Sequence, residues 1–552
     1  MRASNALVAV IVGLLAFALL VATGDQIGLT YDEPIYLSKS MLACEWLSAL
    51  SQGRDATREA AISLYWDASQ DQQPGSIKLM FGIVGRLLGN VLAVPALTAG
   101  RLGTMLLSAV LVGLLYWFAA GLWGRSAGAV AAGGLLLMPR VWTHMHLAAL
   151  DAPIMALSFV TVLLVFLAAR DERPWLCVAA GVMFGLALGT KLNSFFIPII
   201  VLPWLLVMRK WRIAGWTAAS MAILGPLTLW VTWPWLWHDT WARAGEYFAF
   251  HLHHYHVATT YLGTTWELAP WHYAVAMTLI TTPPTILVLA VVGVCAALTR
   301  QRQGAAAATT AISDASCGWG VCLLLVWGLA VNLGPSMLPW APKYNGVRLF
   351  LPVFPYLAAF GGVGFHRLCQ RVIQHGAETW SKSVVGFPVK LRAFGALLVI
   401  IPCLAAVGNA HPFGMSYYNS LIGGPSGAYE LGMEPTYWGD SYLAAVQWLN
   451  RNGRPGAEAW INVVGFASSV DLYKALGMLR EDVQITAGDE ALSRADYVVV
   501  QHKQNEMSPL MQRLAAEGTP LFAETLDGVP LVWVFAGDDP ALRGEHDGRA
   551  AQ

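Results

Sequence analysis

Long runs of apolar residues separated by short polar segments make up most of this chain. The first run, Asn5 to Thr23, has about the 20 mostly apolar residues that a spanning helix needs. No small-residue cleavage site of the A-x-A kind follows it, so we interpret it as a retained anchor rather than a signal peptide. Ten further runs bring the prediction to about eleven spanning helices. They cover approximately residues 98–119, 126–142, 150–169, 175–190, 193–208, 213–232, 273–298, 318–334, 348–366 and 392–408.

Two of the polar segments, 24–100 and 233–272, are too long to be simple connections between spans. Within the first, three stretches have helical periodicity but are too short or too polar to cross a bilayer, and they are predicted to lie along the membrane surface. These stretches are Pro34–Leu50, Ala56–Trp66 and Lys78–Leu92. Long loops on a rigid scaffold are where function usually concentrates.

The last part of the chain, residues 409–552, has the pattern of a small α/β domain. Short β-rich apolar runs (Ala459–Val464, Tyr497–Gln501, Val529–Phe535) alternate with helical runs (Tyr442–Asn450, Val470–Leu476, Met507–Glu517). It contains no glycine-rich phosphate loop or nucleophile elbow, which favours recognition or covering of a site over chemistry. The predicted fold class is a polytopic α-helical membrane protein, residues 1–408, with a C-terminal soluble α/β domain.

Composition supports a chain that lies largely in lipid. Hydrophobic residues make up 56% and charged residues only 12%, against roughly 25% charged in ordinary soluble domains. Seven scattered cysteines, all before residue 409, form no disulfide framework. The net charge of zero combines 25 Lys and Arg with 16 Asp and Glu up to Gly408, and 9 with 18 after it. Nucleic-acid binding, a disulfide scaffold and intrinsic disorder are therefore disfavoured.

The distribution of cations predicts the orientation in the membrane. With Arg2 on the cytoplasmic side, the inside segments are short and strongly basic, whereas the outside segments mix acids with bases. An odd number of spans then places residues 409–552 outside. We predict a multi-pass protein of a bacterial inner membrane, with its N-terminus in the cytoplasm and its C-terminal domain in the periplasm.

The strongest local signal for chemistry is Tyr31-Asp32-Glu33-Pro34, just after the first span. One interpretation is a solvated helix start with Pro34 in the first turn. The functional interpretation is a carboxylate general base with a second acid that tunes or orients it. The pair does not stand alone, because further polar residues are predicted at the outer ends of several spans.

Taken singly, these residues fit snorkelling or helix capping, but together they converge on one face. Lys78 follows the kinked segment Gln73-Pro74-Gly75, and Asp151 begins a hydrophobic span, where an acid needs a partner or a function. The others are Arg101, His146, Lys191, His272, Tyr344 and Arg348. The spacing of His251, His253, His254 and His256 matches no zinc motif, so no metal site is predicted, although a divalent cation stays possible.

The order of these motifs resembles the membrane glycosyltransferases of the C-type fold. An Asp-Glu pair in the first outer loop, a proline-containing segment ending in Lys78, a second acid at Asp151 and an outer C-terminal domain carry the resemblance. It is nearest to the protein O-mannosyltransferase and lipid A aminoarabinose transferase branch, which is glycosyltransferase family 39-like. Gln73 and Gly75 depart from the His-Pro-Pro-Leu-Gly-Lys segment of that family.

The resemblance implies transfer of a sugar from a polyprenyl-phosphate donor to a periplasmic acceptor, which is a protein, lipid or glycan, with inversion at the anomeric carbon. It implies that Asp32 is the base, with Glu33 beside it and Asp151 as the second acid. It also implies that Lys78 and Arg348 hold the carrier phosphate, with Lys191 and His146 as weaker candidates. The implied partners are the lipid-linked donor, the acceptor and the bilayer, with no nucleic acid.

Other functions stay open from the sequence. A transporter or flippase of a lipid-linked saccharide would place ionisable residues near the midplane on broken helices and often shows internal repeats. We find no repeat, and the charges lie at the outer ends of the spans. A receptor with a binding tail is a third possibility, which the acids Asp32, Glu33 and Asp151 disfavour. The sequence names neither the sugar nor the acceptor.

Overall fold

The computed structural model describes residues 3–68, 72–252, 256–304, 318–379, 387–462 and 467–542. The N-terminal part is a bundle of α-helices with one two-stranded hairpin. The bundle helices are α1 (Ala3–Ala22), α2 (Glu33–Ser51), α3 (Glu59–Trp66), α4 (Ser76–Leu92), α5 (Ala96–Trp123), α6 (Arg125–Leu136), α7 (Pro139–His144), α8 (Asp151–Asp171), α9 (Trp175–Leu188), α10 (Phe196–Val207), α11 (Trp211–Thr232), α12 (Thr240–Leu252), α13 (Tyr273–Thr281), α14 (Pro284–Gly304), α15 (Trp319–Leu333), α16 (Phe354–Thr379) and α17 (Phe387–Ala410). The hairpin pairs β1 (Thr259–Tyr261) with β2 (Thr264–Trp266).

Each of the eleven predicted spans coincides with helix, but fewer are long single helices. Within the described residues, seven helices are long and apolar enough to cross a membrane, or eight if α13 and α14 form one bent span. The axis bends by 119° between these two helices, where Pro283 and Pro284 interrupt the backbone hydrogen bonding. The predicted span 126–142 is likewise divided into α6 and α7 before Pro139, and α9 and α10 have 14 and 12 residues. The predicted polytopic helical class is confirmed, while several spans are broken or short.

The three helices predicted within the first long loop are present as α2, α3 and α4. Pro34 lies in the first turn of α2, where its missing N–H needs no partner. Helix α4 is strongly amphipathic and packs against α2 and α5. A Cβ on Gly82 of α4 would lie 2.6 Å from the carbonyl oxygen of Ser40, so the two backbones approach too closely for any other residue.

The C-terminal part contains a five-stranded mixed sheet in the order β4-β3-β5-β7-β6. Strands β3, β4 and β5 are parallel, and β7 runs antiparallel to β5 and β6. Its elements are α18 (Gly424–Glu430), α19 (Tyr442–Asn452), β3 (Glu458–Ile461), α20 (Ala467–Ala475), β4 (Gln484–Thr486), α21 (Asp489–Leu492), β5 (Tyr497–Gln501), α22 (Pro509–Glu517), β6 (Phe522–Leu526) and β7 (Val529–Ala536). The predicted strands and helices are present; Val464, the predicted end of the first strand, lies outside the described residues.

The segment between α1 and α2 lies against this C-terminal sheet domain. The backbone N–H of Leu29 donates to the Tyr473 hydroxyl at 2.7 Å, and that of Tyr31 donates to the Trp438 carbonyl at 3.1 Å. A Cβ on Gly28 would lie 2.0 Å from the carbonyl oxygen of Asp440. The start of α2 and the sheet domain are thus on the same side of the bundle, which we call the domain side.

Candidate active site

Asp32 occupies the N-cap position of α2, but its side chain does not cap the helix. Instead its carboxylate oxygen Oδ2 accepts a hydrogen bond from Nη2 of Arg348 at 2.7 Å. The Asp32 side chain is 31% exposed. A solvent-accessible carboxylate held by a charge-assisted hydrogen bond is oriented without being sealed off from a ligand.

Asp151 is the first residue of α8 and its side chain is only 1% exposed. Its Oδ1 atom lies 2.5 Å from Nζ of Lys191, and its Oδ2 atom lies 3.4 Å from Nε of Arg348. An acid at the start of a hydrophobic helix therefore has two cationic partners, as a buried charge requires. The four groups form one alternating chain: Asp32, Arg348, Asp151 and Lys191.

The backbone before Arg348 aims this guanidinium into the chain of charges. Asn345 and Gly346 both have positive φ, 53° and 65°, and make a left-handed turn. The Gly346 N–H donates to the Tyr273 hydroxyl at 3.1 Å. Asn193 then donates from Nδ2 to the carbonyl of Leu349 at 2.7 Å, which ties the segment after α9 to the short 3₁₀ helix Arg348–Val353. Two distant segments thus fix the position of Arg348.

A cavity of about 200 Å³ opens beside these charges. Lys191 and Arg348 place two cations in its wall, and Tyr344 and Tyr36 add aromatic surface. The remaining wall residues include Gln73, Asn193, Phe196, His251, Ser336 and Leu349. A concave site with convergent charged groups and apolar walls is the usual form of a small-molecule or headgroup site. Cations in its wall suit an anionic ligand such as a phosphate.

Glu33 and Arg101 do not reach this cavity. Both side chains are fully buried, and they form a two-point ion pair, Nε to Oε1 at 2.8 Å and Nη2 to Oε2 at 2.7 Å. Arg101 also donates to the carbonyls of Gly24, Ile27 and Gly28. Every polar group of the pair is engaged in holding the loop before α2, and the predicted roles of Glu33 in the chemistry and of Arg101 in substrate binding stay predictions.

Lys78 lies next to the cavity rather than in its wall. Its side chain is 3% exposed, and Nζ donates to the Gln73 carbonyl at 3.0 Å and lies 5.1 Å from the centre of the Tyr36 ring. Tyr36 and Gln73 themselves line the cavity, so the Lys78 ammonium contacts two residues of the wall without being part of it. The structure brings Lys78 close to the site, and its role as a phosphate ligand stays a prediction.

Two predicted ligands lie elsewhere. His146 is fully buried, with Nε2 at 2.8 Å from the Thr23 hydroxyl and Nδ1 at 2.7 Å from the Trp142 carbonyl. It joins the end of α1 to α7, and its predicted contact with substrate stays a prediction. His272 contacts the Tyr261 hydroxyl at 3.0 Å and belongs to the β1–β2 hairpin region. In the histidine cluster, His253 and His254 lie outside the described residues.

The C-terminal part of the chain also contains two buried acids. Burial raises the pKa of Asp440 to about 7 and that of Glu434 to about 7. His144 at the end of α7 is also buried, and burial lowers its pKa to about 4 although the nearby Asp151 opposes the shift. The His144 ring is therefore neutral near pH 7 and adds no charge beside the four-residue chain.

Two residues at this site escaped the sequence analysis. Tyr36 is four residues after Asp32, so the helical period alone puts it on the face of Asp32, and this signal was available. The second residue is Trp438. Its ring centre lies 3.8 Å from the Arg348 guanidinium, and no local pattern predicts that contact.

Comparison with known proteins agrees with the interpretation of the motifs. Residues 79–238 match the family model described as dolichyl-phosphate-mannose-protein mannosyltransferase. This match confirms the resemblance to mannosyltransferase-type membrane proteins over that segment. The segment contains Asp151 and Lys191, whereas Asp32, Lys78 and Arg348 lie outside it. Comparison with curated protein sequences finds no match.

Two solved proteins are similar along most of the chain. ArnT from Cupriavidus metallidurans in the apo state is 14% identical, with a TM-score of 0.48, over 96% of this chain and 97% of that one. The structure of ArnT bound to undecaprenyl phosphate is 15% identical, with a TM-score of 0.47, over 97% of this chain and 98% of that one. The second protein is the archaeal oligosaccharyltransferase AglB from Archaeoglobus fulgidus, in complex with an inhibitory peptide and a dolichol-phosphate. It is 11% identical, with a TM-score of 0.49, over 89% of this chain and 69% of that one.

Proposed function

We propose that this protein is a membrane glycosyltransferase that transfers a sugar from a polyprenyl-phosphate-linked donor to an acceptor, with inversion at the anomeric carbon. The observation that carries the proposal is the alternating chain of Asp32, Arg348, Asp151 and Lys191 beside a 200 Å³ cavity at the domain side. The family match to residues 79–238 supports the same class of reaction.

In the proposed reaction, Asp32 accepts the proton of the acceptor hydroxyl or amine as the acceptor atom bonds to the anomeric carbon. The bond between that carbon and the phosphate oxygen breaks, and the polyprenyl phosphate leaves with the electron pair. Asp32 suits the role of base because its side chain is 31% exposed, whereas that of Asp151, the other acid among the four charged residues, is 1% exposed. Attack opposite the departing phosphate inverts the anomeric centre.

Arg348 and Lys191 would stabilise the negative charge that grows on the leaving phosphate. Both cations already lie in the cavity wall, so little reorganisation is needed when charge develops. Asp151, between them, keeps the two side chains in place when no phosphate is present. Lys78 is proposed as a further phosphate ligand, which it would reach after displacement of Gln73 or Tyr36.

We further propose that the site faces the periplasm of a bacterial inner membrane, on the basis of the basic inside loops. The sugar and the acceptor are left general. A flippase is less well supported, because the charged residues of the site lie where helices begin or end rather than in the middle of helices. Asp151 begins α8, and Lys191 follows α9.

The experiment is transfer by the purified protein from a panel of polyprenyl-phosphate sugars to lipid and peptide acceptors, comparing wild type with Asp32→Asn. Loss of a general base is expected to lower kcat by roughly 10² to 10⁴-fold while unfolding is unchanged. Asp25→Asn is the matched control, since Asp25 is an exposed acid of the same loop. Full turnover by Asp32→Asn would exclude this residue as the base, and an inactive wild type across the panel would refute the proposed reaction.

A further inference from the structure

The sheet domain contacts the charged site through the short segment around Trp438. The Trp438 side chain is only 1% exposed, and its ring centre is 3.8 Å from Cζ of Arg348. The ring also contacts the imidazole of His144, with ring centres 5.6 Å apart. The guanidinium that bridges Asp32 and Asp151 is thus covered by an aromatic residue from a different part of the chain.

The backbone of the same segment also holds the loop that carries Asp32. The Trp438 carbonyl accepts the Tyr31 N–H at 3.1 Å. Next to it, Gly439 has φ of 97°, and a Cβ there would lie 2.6 Å from the Tyr31 ring. A Cβ on Gly28 would meet the carbonyl of Asp440 at 2.0 Å. Gly28 and Gly439 therefore allow the backbone before Asp32 and the backbone after Trp438 to cross in direct contact. This crossing places Trp438 at Arg348.

The cation–π contact has a defined task at this position. Arg348 has two carboxylates beside it, Asp32 at 2.7 Å from Nη2 and Asp151 at 3.4 Å from Nε, and both attract the one guanidinium. A guanidinium can swing toward one acid unless its plane is held. A flat aromatic ring at 3.8 Å holds that plane and attracts the cation, most strongly where water is excluded.

We propose that Trp438 is a positioning residue through which the sheet domain holds Arg348 between Asp32 and Asp151, so that the domain is part of the active site. The proposal rests on the proposed function for its kinetic consequence, but not for its structural one. It gives the C-terminal domain a role beyond covering the site. On this proposal, Arg348 is correctly placed to bind phosphate only when the C-terminal domain is packed against the bundle.

The test compares Trp438→Phe and Trp438→Leu in the full-length protein. Leucine fills space without an aromatic face, so kcat/KM for the lipid-linked donor is expected to fall roughly ten- to thirtyfold, with phenylalanine restoring most of it. The loss should appear more in kcat than in KM, because charge on the phosphate is greatest in the transition state. Trp460→Leu is the control, since Trp460 is a buried indole that bonds within the sheet domain, to Gly488.

Cryo-electron microscopy of the two variants decides the structural claim whatever the activity. In Trp438→Leu the Arg348 guanidinium should lose its contact with Asp32 or Asp151, and in Trp438→Phe both contacts should persist. An unmoved Arg348 in Trp438→Leu overturns the proposal, as does equal kcat/KM for an active wild type and Trp438→Leu. An inactive wild type would count against the proposed function alone.

Discussion

Replacement of the adjacent acids Asp32 and Glu33 by their amides is expected to have opposite effects: Asp32→Asn should lose turnover and keep stability, and Glu33→Gln should lose stability and keep turnover. The Glu33 carboxylate accepts four hydrogen bonds: from Arg101 Nε and Nη2 at 2.8 and 2.7 Å, from the Ala148 N–H at 2.8 Å and from the Thr30 N–H at 3.1 Å. Each oxygen takes one bond from Arg101 and one from a backbone N–H. Whichever way the amide of Glu33→Gln is turned, its NH₂ group faces two donors.

The cost of Glu33→Gln follows from this geometry. Two of four buried hydrogen bonds are lost, and Arg101 keeps only neutral carbonyl partners. Removing one member of a buried ion pair costs about 3–5 kcal/mol. At roughly 2.1 cal/mol/K of unfolding entropy per residue, that lowers the midpoint by about 3–4 °C if all 552 residues unfold together, and by more if a smaller unit does.

The assay is thermal unfolding of the purified protein in detergent, followed by transfer at a temperature where the variant is folded. Glu45→Gln, an exposed acid of the same helix, is the matched control and should leave the midpoint unchanged. We expect Glu33→Gln to lose stability and keep most turnover while folded, and Asp32→Asn to do the reverse. A Glu33→Gln protein with the wild-type midpoint and no turnover would refute the structural role and place Glu33 in the chemistry.

Two further predictions concern the contact between the sheet domain and the bundle. Because burial raises the pKa of Asp440 to about 7, the folded protein keeps this proton while the unfolded chain loses it near pH 4, so stability falls between these values as pH rises. Asp440→Asn should therefore have a higher unfolding midpoint than wild type at pH 8, with the difference shrinking toward pH 4; a difference that does not vary with pH contradicts this. Gly28→Ala should lower the midpoint and the turnover, because its Cβ would overlap the Asp440 carbonyl, whereas Gly245→Ala, with open space around it, should change neither. Equal midpoints for the two alanine variants would show that the crossing is not tight.

Much of the fold could be read from the sequence because it depends on local periodicity. The apolar runs predicted the bundle helices, and the short amphipathic stretches predicted α2, α3 and α4 within a few residues. Strands β4 and β6 were missed because β4 has only three residues, none of them fully buried, and β6 is an edge strand without buried residues. Proline signals at 283 and 284 were present, but the length of the apolar run outweighed them in the prediction of one continuous span.

The candidate site was predicted only in part, for a different physical reason. Asp32, Asp151, Lys191 and Arg348 were named from the sequence, since charges at the ends of apolar helices need partners, and Tyr344 was named as an aromatic residue at the mouth of a span. Which partner each one finds is not a local property. The Asp32 and Arg348 side chains meet across 316 residues of sequence separation.

What the sequence by itself determined is therefore the helical membrane architecture, the position of the polar residues at helix ends and the α/β character of the last part. The tertiary structure decided that Asp32 pairs with Arg348, a residue of the cavity wall, while Glu33, its neighbour, is sealed against Arg101. Successive residues at a helix start point about 100° apart, so packing directs one carboxylate to Arg348 and buries the next. It also decided that Trp438 lies on Arg348, because two glycines let distant backbones cross there.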